Sequence, residues 1–269
     1  DGVHRGLDRI GAQSLRQVGF EHPDLGAFLV DKVGAAALPE GGDRILALLD
    51  QLVDHADDGG VLSRSPLAQI DAIVLLVELK ACYRAVRRDP PAAIEAMLAM
   101  LVPPLLGLTH GDGGLGSWQG AGAVTAERIA ALVSASGVRT RPLKEARQWG
   151  YQRATGGKAV LQFDAAPPPL ARHARSGCAS TLAFEFSHGP QRLIVNCGGA
   201  AFAGGQVPVR IEQGLRGTAA HSTLALADAN STAVLLHGKL GAGVGEVEID
   251  RRIMRLDTGG ATRLEASHD

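Results

Sequence analysis

The spacing of hydrophobic residues changes near the middle of the chain. Before about residue 150 they recur every three or four positions, which is typical of amphipathic helices. Helices are predicted over residues 25–38, 45–53, 66–88 and 125–136, and one more runs through Ile94 and Leu101 until Pro103 and Pro104 bend or end it. Successive helices with short breaks indicate an antiparallel helical array, toroid or bundle.

From Tyr151 onward, apolar and polar residues alternate in short runs separated by Gly, Pro or Asp. This period of two is typical of antiparallel strands in a sheet or sandwich. Strands are predicted over residues 151–154, 159–163, 181–186, 192–196, 222–226, 234–236 and 247–253. Helices first and strands second predict an α+β chain, helical over 1–147 and β-rich over 148–269, rather than a parallel α/β unit.

A glycine-rich stretch, residues 110–122, marks the change of pattern. Its glycines make a continuous helix improbable and permit tight turns. His110, Asp112, Trp118 and Gln119 within it offer an imidazole, a carboxylate, an aromatic face and an amide. The stretch is either a functional loop or a solvated spacer. It lacks the spacing of a phosphate-binding loop.

Composition limits the classes of function. The 269 residues are 45% hydrophobic and 20% charged, as in ordinary globular proteins, and the net charge of −1 gives no electrostatic case for nucleic acid. No apolar run is long enough to span a bilayer. Aromatic residues make up only 4%, so a wide sugar-stacking platform is not expected. Cys178 and Cys197 could pair across neighbouring strands, but free thiols are the expectation.

Several isolated polar residues have both a functional and a structural interpretation. His221 lies among small residues that permit a ligand to approach, although a single histidine entering a strand is usually structural. Arg64 precedes a helix and either meets an anionic substrate or is simply exposed. Glu185 faces away from its apolar neighbours and is predicted to be solvated. His173 and Cys178 are possible metal ligands, but without the spacing of a zinc site.

The order of several segments resembles the heparinase II/III-like family of bacteria, in particular a branch common in proteobacteria. The resemblance covers about residues 40–269. The segments are DGGVLSRSP at 58–66, HGDGGL followed by GAG at 110–122, GYQR at 150–153, LAFEFS at 182–187, IVNCG at 194–198, TAAHSTL at 218–224 and LEASHD at 264–269.

The resemblance implies an α/α toroid joined to an antiparallel β-sandwich. This chain would then be an internal piece without the first part of the toroid and the last strands of the sandwich. Characterised members are polysaccharide lyases that cleave uronate-containing glycans by β-elimination, with general acid–base catalysis and stabilisation of enolate charge. If the chain is such an enzyme, the candidate catalytic residues are His221, which matches the family's motif, and His110; the candidate substrate-binding residues are Arg64, Asp112, Trp118, Gln119 and Asn196.

The chain also departs from the lyase pattern. The lyases tend to carry a Tyr-His pair, with a catalytic tyrosine, where this chain has Ala68 and Gln69. A divalent metal ion, zinc or calcium, is implied by resemblance, but Cys178 and Asn196 stand where a histidine and an aspartate are usual; His221 does match. The alternative function is therefore a non-catalytic glycan-binding or cell-envelope protein on the same scaffold.

The partner implied by the resemblance is an acidic polysaccharide. The implied compartment is the bacterial periplasm or cell envelope, with the cytoplasm as the alternative. The sequence does not assign an oligomeric state.

Overall fold

The computed structural model describes residues 55–85, 87–173, 176–199, 207–236, 239–256 and 259–269. Within these ranges three longer helices come first and antiparallel strands follow, which confirms the α+β class. The helices predicted over 25–38 and 45–53 lie outside the described residues.

The three helices are α1 (Pro66–Ala85), α2 (Ala92–Gly107) and α3 (Ala126–Ser136). The prediction for α3 is confirmed together with its ends. Thr125 accepts a hydrogen bond from the backbone N–H of Arg128, as an N-cap residue does, and Gly137 ends the helix in the left-handed region at φ +76°.

Pro103 and Pro104 do not end α2, which continues to Gly107. Each proline removes the N–H that would bond the carbonyl four residues earlier, so the helix continues at the loss of these hydrogen bonds. The side chains of Val102 and Leu105 are buried in the helical core, so packing holds the final turn in place. The backbone N–H of Leu143 donates to the carbonyl of Pro103 at 3.0 Å, which attaches the chain after α3 to α2.

The core of the helical part is aliphatic and is shared by all three helices. Lys80 of α1 also joins them through polar contacts: its Nζ lies 2.6 Å from a carboxylate oxygen of Glu95 on α2 and donates to the carbonyl of Ser136 on α3 at 3.0 Å. Most apolar positions predicted to face inward lie in this core, whereas Leu67, Val74 and Val77 of α1 and Val133 of α3 are partly buried and pack against it. The core positions include Ile70, Ile94, Met97, Leu98, Leu101, Ile129 and Leu132.

The main sheet has five antiparallel strands in the order of the sequence. They are β1 (Glu145–Ala146), β2 (Tyr151–Gly156), β3 (Ala159–Asp164), β4 (Phe184–His188) and β5 (Gln191–Ile194). The strands predicted over 151–154, 159–163, 181–186 and 192–196 correspond to β2–β5, with shifted ends. The sheet is therefore the part of the β region that the alternation pattern predicted best.

Two antiparallel pairs follow: β6 (Thr232–Val234) with β7 (Leu240–Gly243), and β8 (Val247–Leu256) with β9 (Gly259–His268). Arg251 of β8 connects the second pair to the main sheet. Its guanidinium donates to the side-chain oxygen of Gln152 and to the carbonyl of Arg153, both at 3.0 Å. A two-stranded hairpin is marginal alone, so this contact matters for its placement.

The prediction of a strand over residues 222–226 is wrong. Residues 222–225 form bends and loop, and Leu226 makes an isolated bridge to Ala229 across a tight turn. Ala227 and Asp228 adopt left-handed φ angles of +49° and +57°, which no continuing strand permits. The alternating leucines that suggested a strand do not face a core, since Leu224 is 83% exposed.

Five elements were not predicted, two of which are the short strands β1 and β7. Helix α4 (Val209–Arg216) follows Pro208, and a 3-10 turn (Thr218–Ala220) comes directly before His221. Strand β9 contains two glycines and several charged residues, and pairing with β8 rather than its own pattern makes it a strand. Among the helices of the described ranges, none has the length and apolarity to cross a membrane.

The carboxyl of Glu78 on α1 gives a prediction about pH. One of its oxygens is buried without a hydrogen-bond partner, and burial raises the pKa of the group from 4.5 to about 7. The folded protein therefore binds more protons than the unfolded chain between these values, so this group's contribution to stability is lost as the pH rises through 7. We expect Glu78→Gln to raise the melting temperature at pH 8 and to leave it nearly unchanged at pH 4.5. Equal shifts at both pH values would contradict this assignment.

Candidate functional site

One face of the main sheet carries polar side chains, and yet it is buried. Successive inward positions of β2, β3 and β4 are at most 9% exposed: Tyr151, Arg153, Gln162, Asp164, Glu185 and Ser187. The prediction that Glu185 is solvated is wrong, since its exposure is 0%. The alternation along β4 was interpreted correctly, but the glycine-rich loop, residues 110–122, covers the polar face.

His110 lies at the start of this loop and makes hydrogen bonds through both ring nitrogens. Its Nε2 lies 2.7 Å from a carboxylate oxygen of Glu185, and its Nδ1 lies 3.0 Å from the hydroxyl of Ser187. The side chains of His110 and Glu185 are both 0% exposed. The imidazole therefore has no free nitrogen and no access to solvent.

The second carboxylate oxygen of Glu185 connects two further segments. It accepts hydrogen bonds from the backbone N–H groups of Ser117, at 3.0 Å, and Asn196, at 2.9 Å. The amide of Asn196 extends the connection, because its nitrogen donates to the carbonyl of Ser117 and its oxygen accepts from the N–H of Ser222. The glycine-rich loop and the residues after β5 thus bind one carboxylate, and Asn196 connects them to the segment after His221.

Trp118 and Gln119 point into the same interface. The Trp118 indole is 0% exposed, donates to the side-chain oxygen of Gln162 at 3.0 Å and packs against the ring of Tyr151. The Gln119 amide donates to the hydroxyl of Ser180 at 2.9 Å and accepts from the N–H of Cys178 at 2.9 Å. Neither side chain presents a surface on which a sugar ring could stack.

Arg64 makes a second buried anchor. One guanidinium nitrogen lies 2.5 Å from a carboxylate oxygen of Asp164, and others donate to backbone carbonyls, including those of Trp149 and Pro167. Burial opposes the charged form, but the adjacent Asp164 carboxylate outweighs it and raises the pKa of Arg64. The other oxygen of Asp164 accepts from the Ser180 hydroxyl at 2.8 Å.

Two residues of the interface have unusual backbone conformations. Arg64 and Gln119 have left-handed φ angles of +57° and +45°. A residue other than glycine adopts this backbone region at a cost in free energy, and it stays there when its surroundings hold it in place. The hydrogen bonds of both side chains provide that constraint. Sequence patterns do not reveal it, because neither residue type signals a left-handed position.

Asp112 lies at the rim of the loop and remains exposed. Its carboxylate accepts two hydrogen bonds from the guanidinium of Arg192, at 2.8 and 3.1 Å, and one from the N–H of Gly114 at 2.8 Å. Partial burial raises the pKa of Asp112, but these hydrogen bonds outweigh it and leave the pKa below its usual value. The ionised carboxylate of Asp112 therefore connects the loop to Arg192 of β5.

His221 is 9% exposed, and its imidazole interacts electrostatically with the carboxylates of Asp164 and Glu185. Its Nδ1 lies 2.8 Å from the carbonyl of Gly217, an acceptor only, so Nδ1 carries the proton and Nε2 carries the lone pair. Burial lowers the pKa of His221 below 6.5. A neutral imidazole with a free Nε2 is the form that a general base requires.

The residues present do not fit the implied metal ion. Burial raises the pKa of the Cys178 thiol to about 12, so the thiolate that binds metal is disfavoured. Both polar atoms of the Asn196 amide already have hydrogen-bond partners. In the part of the chain that the structure describes, no three His, Cys, Asp or Glu side chains are grouped to hold a metal ion. Cys178 and Cys197 are free thiols.

An open groove of about 790 Å³ lies beside the residues that follow His221. His221 itself does not line it. Its walls are mostly apolar and formed by Leu182, Phe184, Ser222, Thr223, Leu224, Leu226, Ala229, Asn230, Ser231 and His268.

The sequence interpretation missed the carboxylates around which the interface is built. Glu185 was assigned to the solvent, and Asp164 and Gln162 were not singled out. The signal that could have found them is the alternation along β3, where Gln162 and Asp164 share one side and Leu161 and Phe163 the other. Two adjacent strands with polar residues on the same face indicate a face that is either solvated or covered by polar partners.

Gly116 gives a prediction about how tightly the interface is packed. A Cβ added there would lie 2.5 Å from Gln162 Oε1, 2.6 Å from Trp118 Nε1 and 2.7 Å from Glu185 Oε2. All three side chains are buried and hydrogen-bonded, so none has room to move. We expect Gly116→Ala to lower the free energy of unfolding by about 3 kcal/mol, measured by urea denaturation.

The matched control is Gly156→Ala, because a Cβ at Gly156 meets nothing within 4 Å. It should change the free energy of unfolding by less than about 1 kcal/mol. Similar effects of the two substitutions would show that the interface is looser than described.

Comparison with known proteins relates this architecture to one family. Residues 138–269 match the family model described as Heparinase II/III-like, C-terminal. A curated relative, the FtsZ-localized protein C of Caulobacter vibrioides, is 29% identical over 206 residues, which are 77% of this chain and 34% of that protein. The chain thus spans about a third of the length of the curated relative it matches.

Solved structures agree on the fold. A mutant of the heparan sulfate lyase HepC from Pedobacter heparinus matches with a TM-score of 0.56 and 15% identity, over 86% of this chain and 39% of that chain. A heparinase III gene product matches with a TM-score of 0.53 and 13% identity, over 91% of this chain and 40% of that chain. Residues 138–269 therefore belong to the heparinase II/III-like family, as its C-terminal part.

Proposed function

We propose that this protein binds an acidic, uronate-containing glycan at the bacterial cell envelope without cleaving it. One observation carries the proposal: His110, a candidate catalytic residue, uses both ring nitrogens in a fully buried network. Its helical part would be a portion of the family's α/α toroid, and the two parts together would form the scaffold for the glycan.

β-Elimination needs a cation for the uronate carboxylate, a base for the C5 proton and an acid for the leaving oxygen. Arg64 is a poor candidate for the first task, since Asp164 already neutralises it below the surface. Asn196 and Gln119 are likewise committed to protein contacts. These contacts support structural rather than catalytic roles for these residues.

The positions of Ala68 and Gln69 support the same conclusion. Ala68 has no group that transfers a proton. Gln69 is 0% exposed; its amide accepts from the N–H of Val61 and donates to the carbonyls of Gly59 and Leu101. Gln69 thus serves to join the turn before α1 to α2.

The curated relative adds a further argument. Its name states localization with FtsZ and names no lyase activity. A relative of this kind favours a role in which the scaffold recognises a partner or a glycan rather than degrading it. Because the chain spans a third of that protein, we offer the role as a proposal for this chain.

A lyase remains the second candidate function, and one observation favours it. Burial lowers the pKa of His221 and so favours its neutral form, and no hydrogen bond to its Nε2 is present among the described residues. This imidazole could accept the C5 proton if a glycan reached it. Its 9% exposure and its position outside the adjacent groove weigh against this function.

The two functions are distinguished by one experiment on the protein. It is incubated with heparin, heparan sulfate, alginate and bacterial exopolysaccharides while ultraviolet absorbance of unsaturated uronate is followed, and binding is measured by calorimetry. We expect binding to at least one glycan and a flat absorbance trace. A known lyase serves as the positive control for each glycan.

The variant His221→Asn completes the test, because its amide still offers a donor to the carbonyl of Gly217. A rise in absorbance with the unmodified protein that disappears in His221→Asn would establish the lyase. Absence of binding to every glycan would refute both functions.

A further inference from the structure

An acidic glycan must be recognised mainly by charge on this protein. The two tryptophans, Trp118 and Trp149, are 0% and 1% exposed, so neither provides a stacking surface. The cations nearest to the predicted site are also unavailable, since Arg64 is buried against Asp164 and Arg192 is held by Asp112. Recognition then requires a different cluster of cations at the surface.

The segment between α3 and β1 contains such a cluster. Residues 138–147 hold four cations and one carboxylate, a net charge of +3 in a chain whose net charge is −1. Arg139, Arg141, Lys144 and Arg147 are all exposed. Glu145 pairs with Arg147 at 2.9 Å, and within the described ranges the other three cations form no ion pair.

The segment is fixed to the protein rather than free. Val138 and Leu143 pack against the hydrophobic core. The N–H of Leu143 donates to the carbonyl of Pro103, and its own carbonyl closely approaches Gly107. The cations between and after these two anchors therefore project from a held backbone, which lowers the entropy that a ligand must remove on binding.

A fifth cation, Arg251, joins the cluster from β8. The guanidinium of Arg251 lies 3.4 Å from the carbonyl of Lys144, and its partners are neutral oxygens of Gln152 and Arg153. Hydrogen bonds to neutral groups orient a guanidinium without neutralising its charge. Behind it, the Arg153 guanidinium donates to the neutral carbonyls of Gly107 and Thr109. Among the described residues, no carboxylate therefore neutralises Arg251 as Asp164 neutralises Arg64.

We propose that Arg139, Arg141, Lys144 and Arg251, here named the basic strip, form the contact surface for the acidic glycan. The inference rests on the proposed function and specifies where the glycan binds. Guanidinium groups bind carboxylates and sulfates with two parallel hydrogen bonds, and Lys144 adds a point charge. A linear polyanion can contact several cations along one segment at the same time, whereas a compact ligand cannot.

The test measures affinity for heparin, used as the probe, by calorimetry at several salt concentrations. The triple variant Arg139→Gln, Arg141→Gln, Lys144→Gln should bind about tenfold or more weakly at low salt and show a shallower dependence on salt. The control triple variant Arg172→Gln, Arg210→Gln, Arg252→Gln removes the same charge from other exposed positions and should bind within about twofold of the unmodified protein. Arg252 neighbours Arg251 but projects from the opposite face of β8.

Each outcome bears on a different claim. If the unmodified protein binds no glycan of the panel, the proposed function fails. If it binds, but the two triple variants weaken binding equally or not at all, the basic strip is wrong while the function stands. Tighter binding of single-stranded DNA than of heparin would overturn the choice of a glycan as the partner. Unchanged urea midpoints of both variants exclude loss of folding as the cause.

Discussion

Burying a carboxylate costs several kcal/mol unless hydrogen bonds offset the loss of water. The Glu185 side chain is fully buried and receives hydrogen bonds from the backbone of Ser117 and Asn196, besides its contact with His110. These partners come from the glycine-rich loop and from the end of β5, so the carboxylate requires both segments to be in place. The Arg64–Asp164 pair connects the turn before α1 to β3 in the same way.

Because these buried polar groups need their partners, they stabilise the fold rather than take part in chemistry. Residues that resemble a catalytic set, His110 and Arg64 above all, are the ones that hold the glycine-rich loop and the helical part against the sheet. A site that must release protons and admit substrate cannot also be sealed from solvent. The basic strip and the groove beside His221 are open to solvent, and we propose the basic strip for recognition of an acidic glycan.

The sequence predicted local structure better than it predicted which residues are buried. Thr125 and Gly137 mark the ends of α3, and the alternation of residues indicated β2 and β3, because caps and strand periods are local properties. The solvation of Glu185 was mispredicted, since it depends on what packs against the strand. His110 was found as a candidate by residue type, but its partners on β4 lie 75 and 77 residues away along the chain and no local pattern connects them.

The central claim is that the Glu185 carboxylate holds the glycine-rich loop to the sheet. The most direct measurement is the free energy of unfolding of Glu185→Met relative to the unmodified protein, because methionine has a similar length and removes both acceptor oxygens. Two of the three groups that surround the carboxylate are backbone N–H donors to one oxygen, so the variant leaves both without that acceptor. We predict a loss of about 3 kcal/mol. A change below about 0.5 kcal/mol would contradict the claim.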